Sequence, residues 1–378
     1  MLCGLALLLL SGCAELPPQP ALTDGDLAWV LAGADLPMVP AEDAIEDPAA
    51  VMRLSEEMRR FAENATLHAH DPASKTKALV NAMAAESGLH LQYDAEATLT
   101  AEQAFQQHRA NCLSYTLLFI ALAREVNLTA NFNDVDIPPI WGMGDATLSL
   151  LYGHINAGVE LDLGMYQIVD VSSSEYDPNY AQSVISDDEA LAQFYNNRAV
   201  ELRLQKQPME ALRYELRALQ LAPRTDYLWT NLANLYLQEG NGRAARIAVS
   251  RALALDGSGM LSYMTAERVY RQLGDRQLSG YFHQRAAYFL EQNPYRHYQL
   301  AVGALSRKDY ELAYNESYKA IKLYGKDARF YFLMAAVLDH LGQVGPALES
   351  MQAAIDLTPD PAQQDRYRSK FERLANSG

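Results

Sequence analysis

Asn111-Cys112-Leu113-Ser114-Tyr115-Thr116-Leu117-Leu118-Phe119-Ile120-Ala121-Leu122-Ala123-Arg124-Glu125 reads as a helix with a cysteine on its first turn. Asn111 suits an N-cap, because its side-chain oxygen accepts from a backbone N–H that the helix leaves unbonded. Leu117, Ile120, Ala121 and Arg124 fall three or four apart, so most of one face is apolar and expected in the core. Cys112 then stands at the positive end of a helix dipole, on an element anchored in the interior. That placement favours the thiolate, the nucleophilic form of the side chain.

A nucleophile needs a base, and the base needs an orienting group. Residues 152–161 read as a strand, Asp162-Leu163-Gly164 as a turn, and residues 165–171 as the returning strand. With those three residues as the loop, Leu161 pairs with Met165, Asn156 faces Asp170 and His154 faces Ser172. His154 and Asp170 share a face, one step off the direct pair. Such diagonal neighbours lie about 7–8 Å apart at the backbone, within reach of long side chains. Asn156 is a further candidate for contact with a substrate. His108, four residues before Cys112, has no carboxylate partner in this pattern and reads as a surface histidine.

A cysteine opening a buried helix, a histidine on one strand and an aspartate at the end of the next resemble the transglutaminase-like cysteine peptidase superfamily. The resemblance covers roughly residues 45–185 and implies an α+β, papain-like domain over 45–187. It implies a triad of Cys112 as nucleophile, His154 as base and Asp170 as the orienting acid. The chemistry would be acyl transfer at an amide, with the oxyanion held by backbone N–H groups near the helix start, that of Cys112 included. Water completing the cycle gives a peptidase or amidase, and an amine completing it gives a cross-link. Hydrolysis is the expectation, since no amine site is legible. No cofactor or metal is expected, for the chain has no metal-ligand spacing, phosphate loop or dinucleotide fingerprint.

Around this domain, helices are expected over 49–63, 74–87 and 100–107. Residues 127–146 hold Pro138-Pro139-Ile140-Trp141-Gly142-Met143-Gly144, too rich in proline and glycine for a regular element. Trp141 is either a wall of the substrate cleft or a packing tryptophan.

Residues 1–12 read as a lipoprotein signal, with the apolar run Leu5-Ala6-Leu7-Leu8-Leu9-Leu10. Leu10-Ser11-Gly12-Cys13 resembles a bacterial lipobox. The resemblance implies lipidation of Cys13 and, with Ala14 following, an outer-membrane lipoprotein facing the periplasm. Residues 13–44, with Pro17, Pro18, Pro20, Pro37 and Pro40, read as a partly extended tether. Cys3 falls in the signal, so Cys112 is the remaining thiol once Cys13 is lipidated. An inert core cysteine is the competing reading of Cys112.

From Asp188 onward a period of 34 residues takes over. The pair Ala211 and Ala218 recurs as Ala245 and Ala252, Ser279 and Ala286, Ala313 and Ala320, and Ala347 and Ala354. Gly240, Gly274 and Gly342 keep phase with one another, as do Ala199, Ala233, Ala301 and Ala335. This resembles the tetratricopeptide repeat, and it implies an all-α solenoid. Five repeats are expected over 188–361, starting near 192, 226, 260, 294 and 328, with a capping helix in 362–378. The resemblance places Asn196, Arg203, Asn234, Gln238, Arg268, Arg271, Tyr295, Tyr298, Phe332 and His340 on the inner face. Arg268, Arg271 and Tyr298 are the candidate contacts for a bound peptide or protein.

The net charge of −16 is uneven. Residues 14–187 hold 7 lysines and arginines against 26 aspartates and glutamates, whereas 188–378 hold 24 against 21. So acidic a first part repels nucleic acid and favours cationic peptides or amines. The competing function class is a non-catalytic assembly lipoprotein, in which the first domain only binds peptides and the repeats do the main work.

Overall fold

The computed structural model describes residues 21–36, 45–136, 154–161, 165–171, 181–256, 259–358 and 361–377. Cys13 and its lipobox, Trp141 with the loop at 138–144, the turn at 162–164 and Ser172 lie outside them. The chain divides into two compact units: residues 1–138 with 153–283, and residues 139–152 with 284–378.

The first unit begins with α1 (Asp24–Leu31), α2 (Pro48–Val51), α3 (Glu56–Thr66), α4 (Pro72–Ala84), α5 (Ala101–Gln107) and α6 (Cys112–Glu125). Each starts at a side-chain oxygen that accepts from a first-turn N–H: Thr23, Asp47, Ser55, Asp71, Thr100 and Asn111. Pro48 and Pro72 occupy first-turn positions, where a missing N–H removes no helical bond. The short strands β1 (Gln92–Tyr93) and β2 (Arg109–Ala110) pair in parallel.

β3 (Ala130–Asp136), β4 (His154–Glu160), β5 (Tyr166–Val169) and β6 (Ala181–Ile185) form one antiparallel sheet in the order β5-β4-β3-β6. α6 packs on β3 and β4, with α3, α4 and α5 around it. It is therefore buried from Leu113 through Ala123, not along one face alone. The sequence pattern under-reads this, because a helix covered on every side has no polar stripe to reveal its orientation.

The expected tether also takes a different form. Residues 24–31 are helical, and Thr23 and Asp26 close a reciprocal cap. Tyr236 Oη donates to Val30 O, and Asn241 Nδ2 donates to Ala34 O at 3.0 Å. The Arg243 guanidinium lies 4.5 Å from the Trp29 ring centroid. These partners satisfy the carbonyls at the end of α1, which a short isolated helix would leave to water.

The same unit continues with α7 (Asp187–Leu204), α8 (Pro208–Leu221), α9 (Asp226–Gln238), α10 (Gly242–Leu255), α11 (Met260–Gln272) and the start of α12 (Arg276–Leu290). α7 pairs with α8, and α9 with α10, as helix hairpins. Packing is continuous across the expected boundary at 187/188. Tyr195 Oη donates to Glu46 O at 2.5 Å and Tyr214 Oη to Glu46 Oε2 at 2.7 Å, and one apolar core runs from Val30 to Phe282.

The second unit holds α13 (Pro294–Ser306), α14 (Tyr310–Leu323), α15 (Ala328–His340), α16 (Val344–Leu357) and α17 (Pro361–Ser377). α13 pairs with α14, α15 with α16, and α17 packs on α16. The alanines of the period are all buried, so each hairpin closes on small side chains. These helix pairs are tetratricopeptide-like repeats. Their inner turns share a left-handed residue at Lys206, Gly240, Gly274, Lys308 and Gly342, with φ of 62°, 75°, 79°, 63° and 73°. Among the described residues no helix is long and apolar enough to cross a membrane.

Candidate active site

The start of α6 is fixed by hydrogen bonds on the strand-like chain before it. Asn111 Oδ1 accepts from Ser114 N at 2.8 Å, and Asn111 Nδ2 donates to Thr98 Oγ1 at 2.9 Å. Ser114 Oγ in turn donates to Ala97 O at 3.1 Å and accepts from Leu99 N at 2.7 Å. Cys112, half-buried and outside any disulfide, is the first residue of the helix. Thr116 Oγ1 donates to Cys112 O at 2.8 Å and lies 3.3 Å from Ile155 O, which ties this turn to β4.

The hairpin register brings the other two residues in. Leu161 N donates to Met165 O at 2.7 Å, Glu160 pairs with Tyr166, and Ala157 pairs with Val169. Continuing by one step sets Asn156 opposite Asp170, with His154 on the same face. His154 Nε2 and Asp170 Oδ2 are 2.6 Å apart, with side chains 13% and 7% exposed. Cys112 is the other side-chain hydrogen-bond partner of His154. The structure thus brings Cys112, His154 and Asp170 into one cluster.

Burial works against a charged imidazole here. The hydrogen bonds and negative charges of Asp170 and Cys112 outweigh it and lift His154 from 6.5 to about 10. Burial, and after it the charge of Asp170, push the Tyr115 phenol up to about 12.

Asn156 is fully buried, and its Nδ2 donates to Asp170 Oδ2 at 3.3 Å. The structure places it behind the carboxylate and not on a surface open to a ligand, which corrects its reading as a substrate contact. Burial is the physical reason: both ends of its amide are occupied, since Asn133 Nδ2 donates to Asn156 Oδ1 at 3.1 Å. Asn133 is a residue that sequence reasoning missed. Its only signal is an asparagine at an inward position of a strand, where an apolar residue is usual. His108, in contrast, is exposed at the end of α5.

The other candidates lie apart from the cluster in sequence. On α11, Arg268 Nη2 donates to Asn234 Oδ1, and Thr265 Oγ1 donates to the same oxygen at 3.1 Å. Arg271 Nη1 is 2.8 Å from Glu267 Oε1. Burial, and then the neighbouring Arg268, push the Arg203 guanidinium below its usual value. In the second unit, Tyr298 packs against Phe330 with ring centroids 5.3 Å apart. Cys13 and Trp141 lie outside the described residues. Among the described residues no metal-binding group of histidine, cysteine, aspartate or glutamate gathers.

No family model matches the chain, and no curated protein matches it. Solved structures that overlap it include the MamA protein, at 17% identity, 46% of this chain, 94% of that one and a TM-score of 0.26. YrrB, described as a TPR protein with an unusual peptide-binding site, overlaps at 18% identity, 47% and 92% coverage and a TM-score of 0.26. A thermophilic TPR protein of Thermus thermophilus, TTC0263, does so at 18% identity, 49% and 98% coverage and a TM-score of 0.27. Overlap of this degree carries no argument about function, and the repeat assignment rests on the chain's own helix pairs.

Proposed function

We propose that this chain is a protein-binding repeat scaffold that carries a thiol acyl-transfer site. The observation that supports the site most is the Nε2–Oδ2 contact of 2.6 Å, with Cys112 as the other partner of the same ring. Together with the resemblance to transglutaminase-like cysteine peptidases, it supports reading the helix-on-sheet part as a papain-like domain. Cys112 Sγ attacks an amide carbonyl carbon, and a C–S bond forms. Backbone N–H groups of the first turn of α6 hold the oxyanion. His154 gives a proton to the leaving nitrogen, and the C–N bond breaks. Water then attacks the thioester as His154 takes its proton, the C–S bond breaks, and a carboxylic acid leaves with the Cys112 thiolate and His154 imidazolium restored.

The substrate in this reading is a peptide or protein held by the repeats, with Arg268 and Arg271 on α11 as candidate contacts in the first unit and Tyr298 as a separate candidate in the second. Cys13 anchors the protein in the outer membrane, facing the periplasm, which would present the site to envelope proteins. Comparing the envelope proteome of cells with wild type and with Cys112→Ala tests this. The reading expects one or more proteins to persist uncleaved in the variant, and identical proteomes contradict it. A fluorescent primary amine separates hydrolysis from cross-linking, since only an amine-transferring enzyme incorporates it in a Cys112-dependent way.

A second reading treats the triad residues as the brace of a peptide-binding module on an assembly lipoprotein. The helical repeats favour it, as they need no chemistry to bind protein. It expects Cys112→Ala to leave every envelope protein unchanged and loss of the repeats to disturb them.

A further inference from the structure

Asn133 on β3, Asn156 on β4 and Asp170, the residue that follows β5, form one row. Asn133 is the direct partner of Asn156, and one step beyond the last β4–β5 pair, Ala157 with Val169, sets Asn156 opposite Asp170. The side-chain bonds run along this row: Asn133 Nδ2 to Asn156 Oδ1 at 3.1 Å, Asn156 Nδ2 to Asp170 Oδ2 at 3.3 Å. The same Oδ2 atom meets His154 Nε2 at 2.6 Å.

The chemistry at one end dictates the orientation of the whole row. A carboxylate only accepts, so Asn156 must turn its NH2 toward Asp170. Its carbonyl oxygen then faces β3, so Asn133 must present its own NH2. Gly158 leaves room for that. A Cβ at Gly158 would stand 2.8 Å from Asn133 Nδ2, too close for the amide to stay where it is.

Stability alone gives no reason for this arrangement. Asn133 is 5% exposed and Asn156 not at all. Two buried amides are desolvated, and apolar side chains of similar size would fill the sheet face without that penalty. What the row does supply is a second donor on the oxygen that holds the imidazole, in a chain of bonds that polarise one another.

We propose that Asn133 is a positioning residue of the acyl-transfer site, acting through Asn156 to hold Asp170 against His154. The inference rests on the triad reading above. Without Asn133 the buried Asn156 carbonyl oxygen loses this donor, and the amide tilts away from Asp170 to find another. Asp170 then swings, and the imidazolium beside Cys112 loses its anchor. Tyr115 and Cys112 are titratable groups that also face this cluster.

The test uses full-length protein and iodoacetamide labelling of Cys112 across pH. Asn133→Ala should label about threefold or more slowly near neutrality, the size of one modest hydrogen bond, and match wild type in alkali. Gly158→Ala should do the same while keeping the Asn133 amide, which guards against loss of fold in the first variant. If both variants keep the wild-type pH profile while His154→Ala slows labelling, the relay is wrong and the triad stands. If His154→Ala also labels like wild type, the triad reading fails and takes the relay with it. Wild-type protein gives an independent check. The side-chain amide signals of Asn133 and Asn156 should shift together as His154 titrates near pH 10, and amides that stay still overturn the proposal.

Discussion

At the scale of single residues, His154 carries the sharpest expectation. Its value in the folded chain, about 10, lies above the ordinary 6.5, because Asp170 and Cys112 hold the charged ring against the penalty of burial. A group raised in this way adds its full stability below the ordinary value and loses it as pH rises through the folded value. His154→Gln should therefore lower the melting temperature clearly at about pH 6 and much less at about pH 10.5. Asp170→Asn should bring the ring titration, followed by NMR, down toward the ordinary range. A His154 ring that titrates near 6.5 in wild type would remove the charged pair from the account. The His154–Asp170 contact was legible from a three-residue turn and a strand count, because a period of two leaves no choice of face. Asn133 was not legible. Nothing in the sequence says that a strand asparagine is buried until the neighbouring strand is known to carry Asn156 beside it.

At the scale of elements, the repeat turns show geometry prevailing over residue type. Lys206 and Lys308 adopt the same left-handed conformation as Gly240, Gly274 and Gly342. A side chain there clashes with its own backbone, at about 1 kcal/mol. Lys206→Gly and Lys308→Gly should each stabilise the protein by up to about 1 kcal/mol in urea unfolding, and Gly274→Ala should destabilise it by a similar amount. Equal stability of all three variants would mean that the turns relax freely. The 34-residue period exposed these turns through their glycines, whereas the two lysines hid the same conformation. α1 was missed for a different reason. A helix of eight residues between prolines has little intrinsic stability, and its partners Tyr236, Asn241 and Arg243 lie more than 200 positions away. Trp29→Ala should cut the Arg243 contact and lower the melting temperature by a few degrees, for a loss of about 1 kcal/mol.

At the scale of the whole molecule, the expected boundary at 187/188 does not separate two independent parts. Glu46 receives Tyr195 and Tyr214, and α1 sits on α10, so the first repeats share a core with the helix-on-sheet domain. A fragment beginning at Asp188 should keep its helices yet melt well below the full chain, because it loses those partners. A fragment that melts with the full chain would show the contacts to be incidental. Cys112 acting with His154 and Asp170 is what the proposed chemistry requires. Its most direct test is the rate at which iodoacetamide alkylates native Cys112 at neutral pH, in wild type and in His154→Ala. We expect wild-type Cys112 to react faster than an unperturbed peptide thiol, whose pKa is about 8.5, and His154→Ala to abolish the advantage. Slow labelling of the native protein, unchanged by His154→Ala and rapid only after denaturation, would contradict it.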